Sequence, residues 1–67
     1  MSDDKIAYIE EVRCLRETDK ALLCDVDGEE VWIPKSQIQD DSEVTEKGDM
    51  GILAIPAWIA DEKGLDY

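Results

Sequence analysis

Histidine is absent from this chain of 67 residues, which removes the usual general acid–base and with it Ser-His-Asp and Cys-His nucleophilic constellations. A pair of carboxylates can do acid–base work, as in glycosidases, but only in a cleft of a size that so short a chain is poorly able to enclose. Catalysis is therefore not expected. Cysteine is scarce: Cys14 and Cys24 are the only two. Structural zinc takes four Cys or His ligands, so the set is incomplete, and two mid-strand thiols read as small buried hydrophobes. In a reducing compartment they stay thiols. No cofactor is implied. Long apolar runs are also missing: nothing approaches the roughly 20 residues of a membrane span, and no basic segment leads into a secretory-type apolar stretch. The expectation is an intracellular, cytoplasmic protein (in the host cell if viral) that does not enter membranes.

Basic residues are few, with 7 Lys and Arg against 18 Asp and Glu and a net charge of −11. Such a surface repels phosphates and anionic lipids and attracts basic partners over a distance set by ionic strength. The same composition also serves plain solubility. Hydrophobic residues make up 43% of the chain, more than a disordered segment of this charge carries. One small domain over residues 1–67 is expected, with a modest core that buries about 60% of the unfolded surface. No repeat, low-complexity tract or linker interrupts it.

The organising stretch is Asp27-Gly28-Glu29-Glu30-Val31-Trp32-Ile33-Pro34-Lys35-Ser36-Gln37-Ile38. Asp-Gly suits a type I′ hairpin turn, which needs positive φ at both central residues. A strand through Val31-Trp32-Ile33 ends at Pro34, which has no N–H for a ladder. With a two-residue loop, Val26 faces Glu29, Cys24 faces Val31, Leu23 faces Trp32 and Leu22 faces Ile33. Leu22, Cys24, Val26, Val31 and Ile33 then share one face, and Leu23, Asp25, Glu30 and Trp32 the other. Upstream, Lys5 to Arg16 alternates as a strand, with Ile6, Tyr8, Val12 and Cys14 on one face and Ala7, Ile9, Glu11, Arg13 and Leu15 on the other. Glu10 breaks the pattern and predicts a bulge near Glu10-Glu11. A three-residue loop after this strand sets Cys14 opposite Cys24.

Pro34 to Ile38 reads as one tight helical turn. Gln39 to Lys47 is polar, with Val44 the one apolar anchor. Met50 to Ile55 has strand length, and Pro56 to Lys63 predicts a short helix stopped by Gly64, anchored by Trp58, Ile59 and Leu65. The fold class is β-rich and mainly antiparallel: a small bent sheet or partly open SH3-like or OB-like barrel of four or five strands with a short C-terminal helix. Residues 1–4 form a flexible tail, 5–55 the β meander and 56–64 the helix. Val12, Cys14, Leu22, Cys24, Val26, Val31 and Ile33 should form the core.

Taken with Pro56-Ala57-Trp58-Ile59-Ala60-Asp61-Glu62-Lys63-Gly64-Leu65, the organising stretch resembles a pattern in small proteins of bacteriophages and other mobile elements. There a Lys-Ala-hydrophobic strand leads into the Asp-Gly turn, then the segment from Val31 to Ile38, and finally the Pro-x-Trp-x-Ala-x-Glu-Lys-Gly-Leu tail. The likeness runs from Lys20 to Leu65. It implies mobile-element origin and a setting of DNA metabolism or host–virus conflict, and it carries no catalytic residues across.

Two candidate interaction surfaces follow. The first is Trp32, Leu23 and Arg13, joined by Leu15: an aromatic with aliphatic neighbours and an Arg is hot-spot composition, unless the C-terminal helix covers that face and makes it a second half of the core. The second is acidic: Asp25, Asp27, Glu29, Glu30, Asp40, Asp41 and Glu43. Asp25 to Glu30 does not follow the EF-hand pattern, so no metal is assigned there. The leading reading is a non-enzymatic module that binds a host or viral protein. Its alternatives are an acidic DNA-mimic inhibitor of a nucleic-acid-binding enzyme, of anti-CRISPR or anti-restriction type, and an OB-like module for single-stranded nucleic acid with Trp32 as stacking platform and Arg13 and Lys35 beside it. The net charge works against direct nucleic-acid binding. An open edge strand would also permit pairing into a homo-oligomer.

Overall fold

The computed structural model describes residues 5–65 and 67, so the reading of residues 1–4 as a tail lies outside the described residues. Strands β1 (Ile6–Glu17), β2 (Ala21–Val26), β3 (Glu29–Pro34) and β4 (Met50–Pro56) form one antiparallel sheet in the order β3-β2-β1-β4. Helix α1 (Ala57–Lys63) follows β4 directly. The β-rich class, the bent open sheet and the short C-terminal helix are as the sequence predicts.

The β2–β3 hairpin has the predicted register, from Val26 opposite Glu29 to Leu22 opposite Ile33. Asp27 and Gly28 form its turn at φ 54° and 86°, the left-handed pair a type I′ turn requires. Asp25 Oδ1 accepts the Gly28 N–H at 3.1 Å and braces the turn. Cys14 lies opposite Cys24 across β1 and β2, and both are buried free thiols.

β1 bends at two bulges, one between Ile9 and Val12 against β4 and one between Cys14 and Arg16 against β2. The first is the bulge that Glu10 predicts, with Glu11 at φ 59°, and it changes which residues share a face. An inserted residue flips the period-two parity of everything before it. Ala7 and Ile9, not Ile6 and Tyr8, therefore join Val12 and Cys14 in the core, and Tyr8 stands 51% exposed.

After β3 a single 3-10 turn, Lys35–Gln37, leads into a crossover without strands of its own. Val44 is its buried anchor, as expected. Residues 39–43 run along the free edge of β4 and satisfy its main chain. Gln39 N–H donates to Ala54 O and Glu43 N–H to Ile52 O, at 2.9 and 2.8 Å. In return Ser42 Oγ accepts the Ala54 N–H at 3.1 Å and Glu43 Oε1 the Ile52 N–H at 2.8 Å.

Helix α1 packs Ala57, Ile59 and Ala60, followed by Leu65, into the same core as Ile9, Val12, Leu22, Cys24, Ile33, Leu53 and Ile55. It thus lies on the inner face of the sheet. Gly64 closes it at φ 74°, and Leu65 N–H reaches back to Ala60 O at 2.8 Å, the bond that seats Leu65 in the core. Trp58 is not the expected anchor and is 48% exposed. Ala57 and Ala60 fill the buried stripe, and their small side chains let the short helix lie close to the sheet, which leaves Trp58 on its outer side. No helix among the described residues is long and apolar enough to cross a membrane.

Candidate protein-binding face

With α1 on the inner side, no helix among the described residues covers the outer face of the sheet around β2 and β3. Two rows of cross-strand partners define it, because directly opposed residues share a face. One row is Arg16, Leu23 and Trp32; the other crosses all four strands as Met50, Arg13, Asp25 and Glu30. Trp32 is 45% exposed while its partner Leu23 is only 8% exposed. The indole thus lies in the open beside a covered leucine. Arg13 is exposed, and its guanidinium lies 3.7 Å from the Met50 sulfur. The alternation of β1 places Leu15 on this face, whereas the structure puts Arg16 and Met50 there. Leu15 occupies the second bulge without a cross-strand partner, which shifts Arg16 opposite Leu23. The alternation of β1 contains no signal for that bulge.

The acidic candidates divide. Asp25, Asp27, Glu29 and Glu30 lie at or near the β2–β3 turn, whereas Asp40, Asp41 and Glu43 belong to the crossover along β4, at the opposite edge of the sheet. Asp41 accepts the Tyr8 hydroxyl at 2.9 Å, which raises the Tyr8 pKa, and Glu43 caps Ile52. Those two carboxylates serve the fold. Asp27 and Glu29 instead meet Glu10 and Glu11, which the sequence reading did not select, around an open cleft of about 540 Å³. Its remaining walls are Ile9, Val26, Gly64 and Leu65. The bulge at Glu10-Glu11 brings these acids to the hairpin end.

Lys35 is committed to Glu17, with Nζ 2.6 Å from Oε2. This pair holds the Glu17 carboxyl below the usual range, assisted by the Lys47 N–H. Desolvation pushes both thiols up, Cys24 to about 12, so neither is poised as a nucleophile.

No family model, no curated protein and no solved structure matches the chain.

Proposed function

We propose that this chain is a non-enzymatic protein-binding module of a bacteriophage or other mobile element, and that a host or viral protein docks on the outer face around Trp32. The observation that carries the reading is Trp32 itself: a half-exposed indole packed beside a buried Leu23 and set in a row with Arg16, next to Arg13. Indole and guanidinium groups dominate binding hot spots because they bury large area while keeping a polar handle. The Asp-Gly turn, the Val31 to Ile38 segment and the tail from Pro56 to Leu65 support the mobile-element origin. In the row of Arg13, Asp25 and Glu30 place negative charge beside the cation, which favours a protein partner over a phosphate backbone.

The test is affinity capture of host and phage proteins with washes of rising salt. A partner held through high salt, lost by at least about 30-fold with Trp32→Ala, is the expected result, since a hot spot is worth roughly 2 kcal/mol or more. Unchanged capture by the variant overturns the reading. A second reading, the acidic decoy, is favoured by the carboxylate-rimmed cleft of Glu10, Glu11, Asp27 and Glu29. It requires release at moderate salt and weakening when these four become Gln or Asn; a partner indifferent to both eliminates it.

A further inference from the structure

The two edges of the sheet are treated differently. The β4 edge is closed by the chain itself: the N–H and C=O of both Ile52 and Ala54 are engaged by Gln39, Ser42 and Glu43. On the β3 edge, the orientation of the ladder shows what stays open. Lys35 N–H donates to Lys20 O at 2.8 Å, one step beyond the Ala21–Pro34 partners. Counting back in alternation, Leu22–Ile33, Cys24–Val31 and Val26–Glu29 are the hydrogen-bonded pairs, while Leu23–Trp32 and Asp25–Glu30 are not. The other strand gives the same answer. Cys14 directs both N–H and C=O toward Asp49 and Gly48, so Cys24 must direct its own toward β3. The main-chain groups of Glu30 and Trp32 therefore point off the sheet. Among the described residues nothing bonds to them.

We infer that the β3 edge takes up an extended, basic segment of the partner protein as a fifth strand, paired to the main chain of Glu30 and Trp32. This rests on the protein-binding reading above and specifies its mode. Strand addition draws affinity from main-chain bonds and specificity from alternate side chains. On the outer face the incoming strand meets Trp32 and, two residues on, Glu30; between them Val31 turns inward. In the antiparallel sense it therefore carries an apolar residue, then an apolar residue for the Val31 side, then Lys or Arg, as in Leu-Val-Lys. Charge selects against a second copy, since two chains of net charge −11 would bring Glu29 and Glu30 of each to one seam.

The experiment is amide hydrogen exchange by NMR on the full chain, with an end-blocked peptide of about eight residues containing Leu-Val-Lys and a Leu-Val-Glu control. The Glu30 and Trp32 amides, unbonded in the free chain, should slow by at least about tenfold with the basic peptide and not with the control, while Val31 and Ile33, already paired with β2, are slow from the start and change only as far as the peptide stabilises the whole fold. Unchanged exchange at saturating peptide overturns the inference. So does slowing that depends on protein concentration without peptide, which assigns the edge to a second copy. Glu30→Pro removes one outward N–H and no ladder bond, so it should abolish peptide binding with thermal stability retained. If Glu30→Pro binds the captured partner normally and Trp32→Ala does not, strand addition fails and face docking stands. If neither variant changes capture, both fail.

Discussion

The Glu43 carboxylate occupies the space above Gly51 where any other residue would carry its Cβ: that atom would stand 2.5 Å from Oε1 and 3.2 Å from the Glu43 Cβ. Gly51 has φ 148°, in a region that L residues avoid. Gly51→Ala should lower unfolding free energy by about 1–3 kcal/mol in urea titrations. Removing the carboxylate by adding Glu43→Ala should restore only part of the loss, since the 3.2 Å approach to the Cβ at position 43 and the backbone strain remain and Ile52 N–H loses its acceptor. Full restoration would show that φ is immaterial here.

Ser42 is the one buried polar residue among those described, and its hydroxyl donates to Val44 O at 3.0 Å while accepting the Ala54 N–H at 3.1 Å. Ser42→Ala strands a buried donor and should cost about 1–3 kcal/mol. The exposed Ser36→Ala serves as reference and should stay within about 0.5 kcal/mol of the parent. Equal stabilities would refute the capping role.

Cys14 and Cys24 should resist alkylation in the folded protein. With the Cys24 pKa near 12, thiolate at pH 8 is only about one part in ten thousand. Labelling followed by mass spectrometry should therefore track denaturant-induced opening, with modification of both cysteines rising together at the unfolding transition. Rapid labelling of Cys24 under native conditions would contradict its burial.

Acid should remove two specific supports. Glu17 is held low by Lys35 and the Lys47 N–H, and Asp49 by the N–H groups of Thr45 and Glu46 and the Thr45 hydroxyl. Groups with depressed pKa stabilise the fold above their unfolded pKa, and this is lost as pH falls through the folded value. Lower pH also relieves the repulsion within a chain of net charge −11, so the parent profile alone mixes opposing effects. Comparing parent with Glu17→Gln isolates the pair. The variant should be less stable at neutral pH, with the gap closing below the carboxylate range. A gap that persists in acid would assign the loss to something other than the ion pair.

The hairpin was fully legible because Asp27-Gly28 fixes both turn type and loop length, and register then follows without freedom. Trp32 opposite Leu23 came from that alone. β1 was half legible: Glu10 betrayed the first bulge by interrupting an apolar face, but face membership depends on how many residues the bulge absorbs, so Ala7 and Ile9 were assigned to the wrong side. The second bulge leaves no mark in the alternation, and Arg16 was missed with it. The side on which α1 packs, and hence the exposure of Trp32, is a tertiary choice made by Ala57, Ala60 and Leu65. Trp58 was misplaced because a large aromatic reads as an anchor, whereas close packing here is achieved by alanine.

The self-sealed β4 edge also sets the valence of the molecule. A sheet open at both edges can pass pairing from copy to copy and grow into a fibre. Here Gln39, Ser42 and Glu43 already engage Ile52 and Ala54 in the middle of one rim, which leaves β3 as the edge open to a further strand. A strand that adds to β3 as inferred above should therefore close the complex at one with one and leave no second edge for open-ended growth.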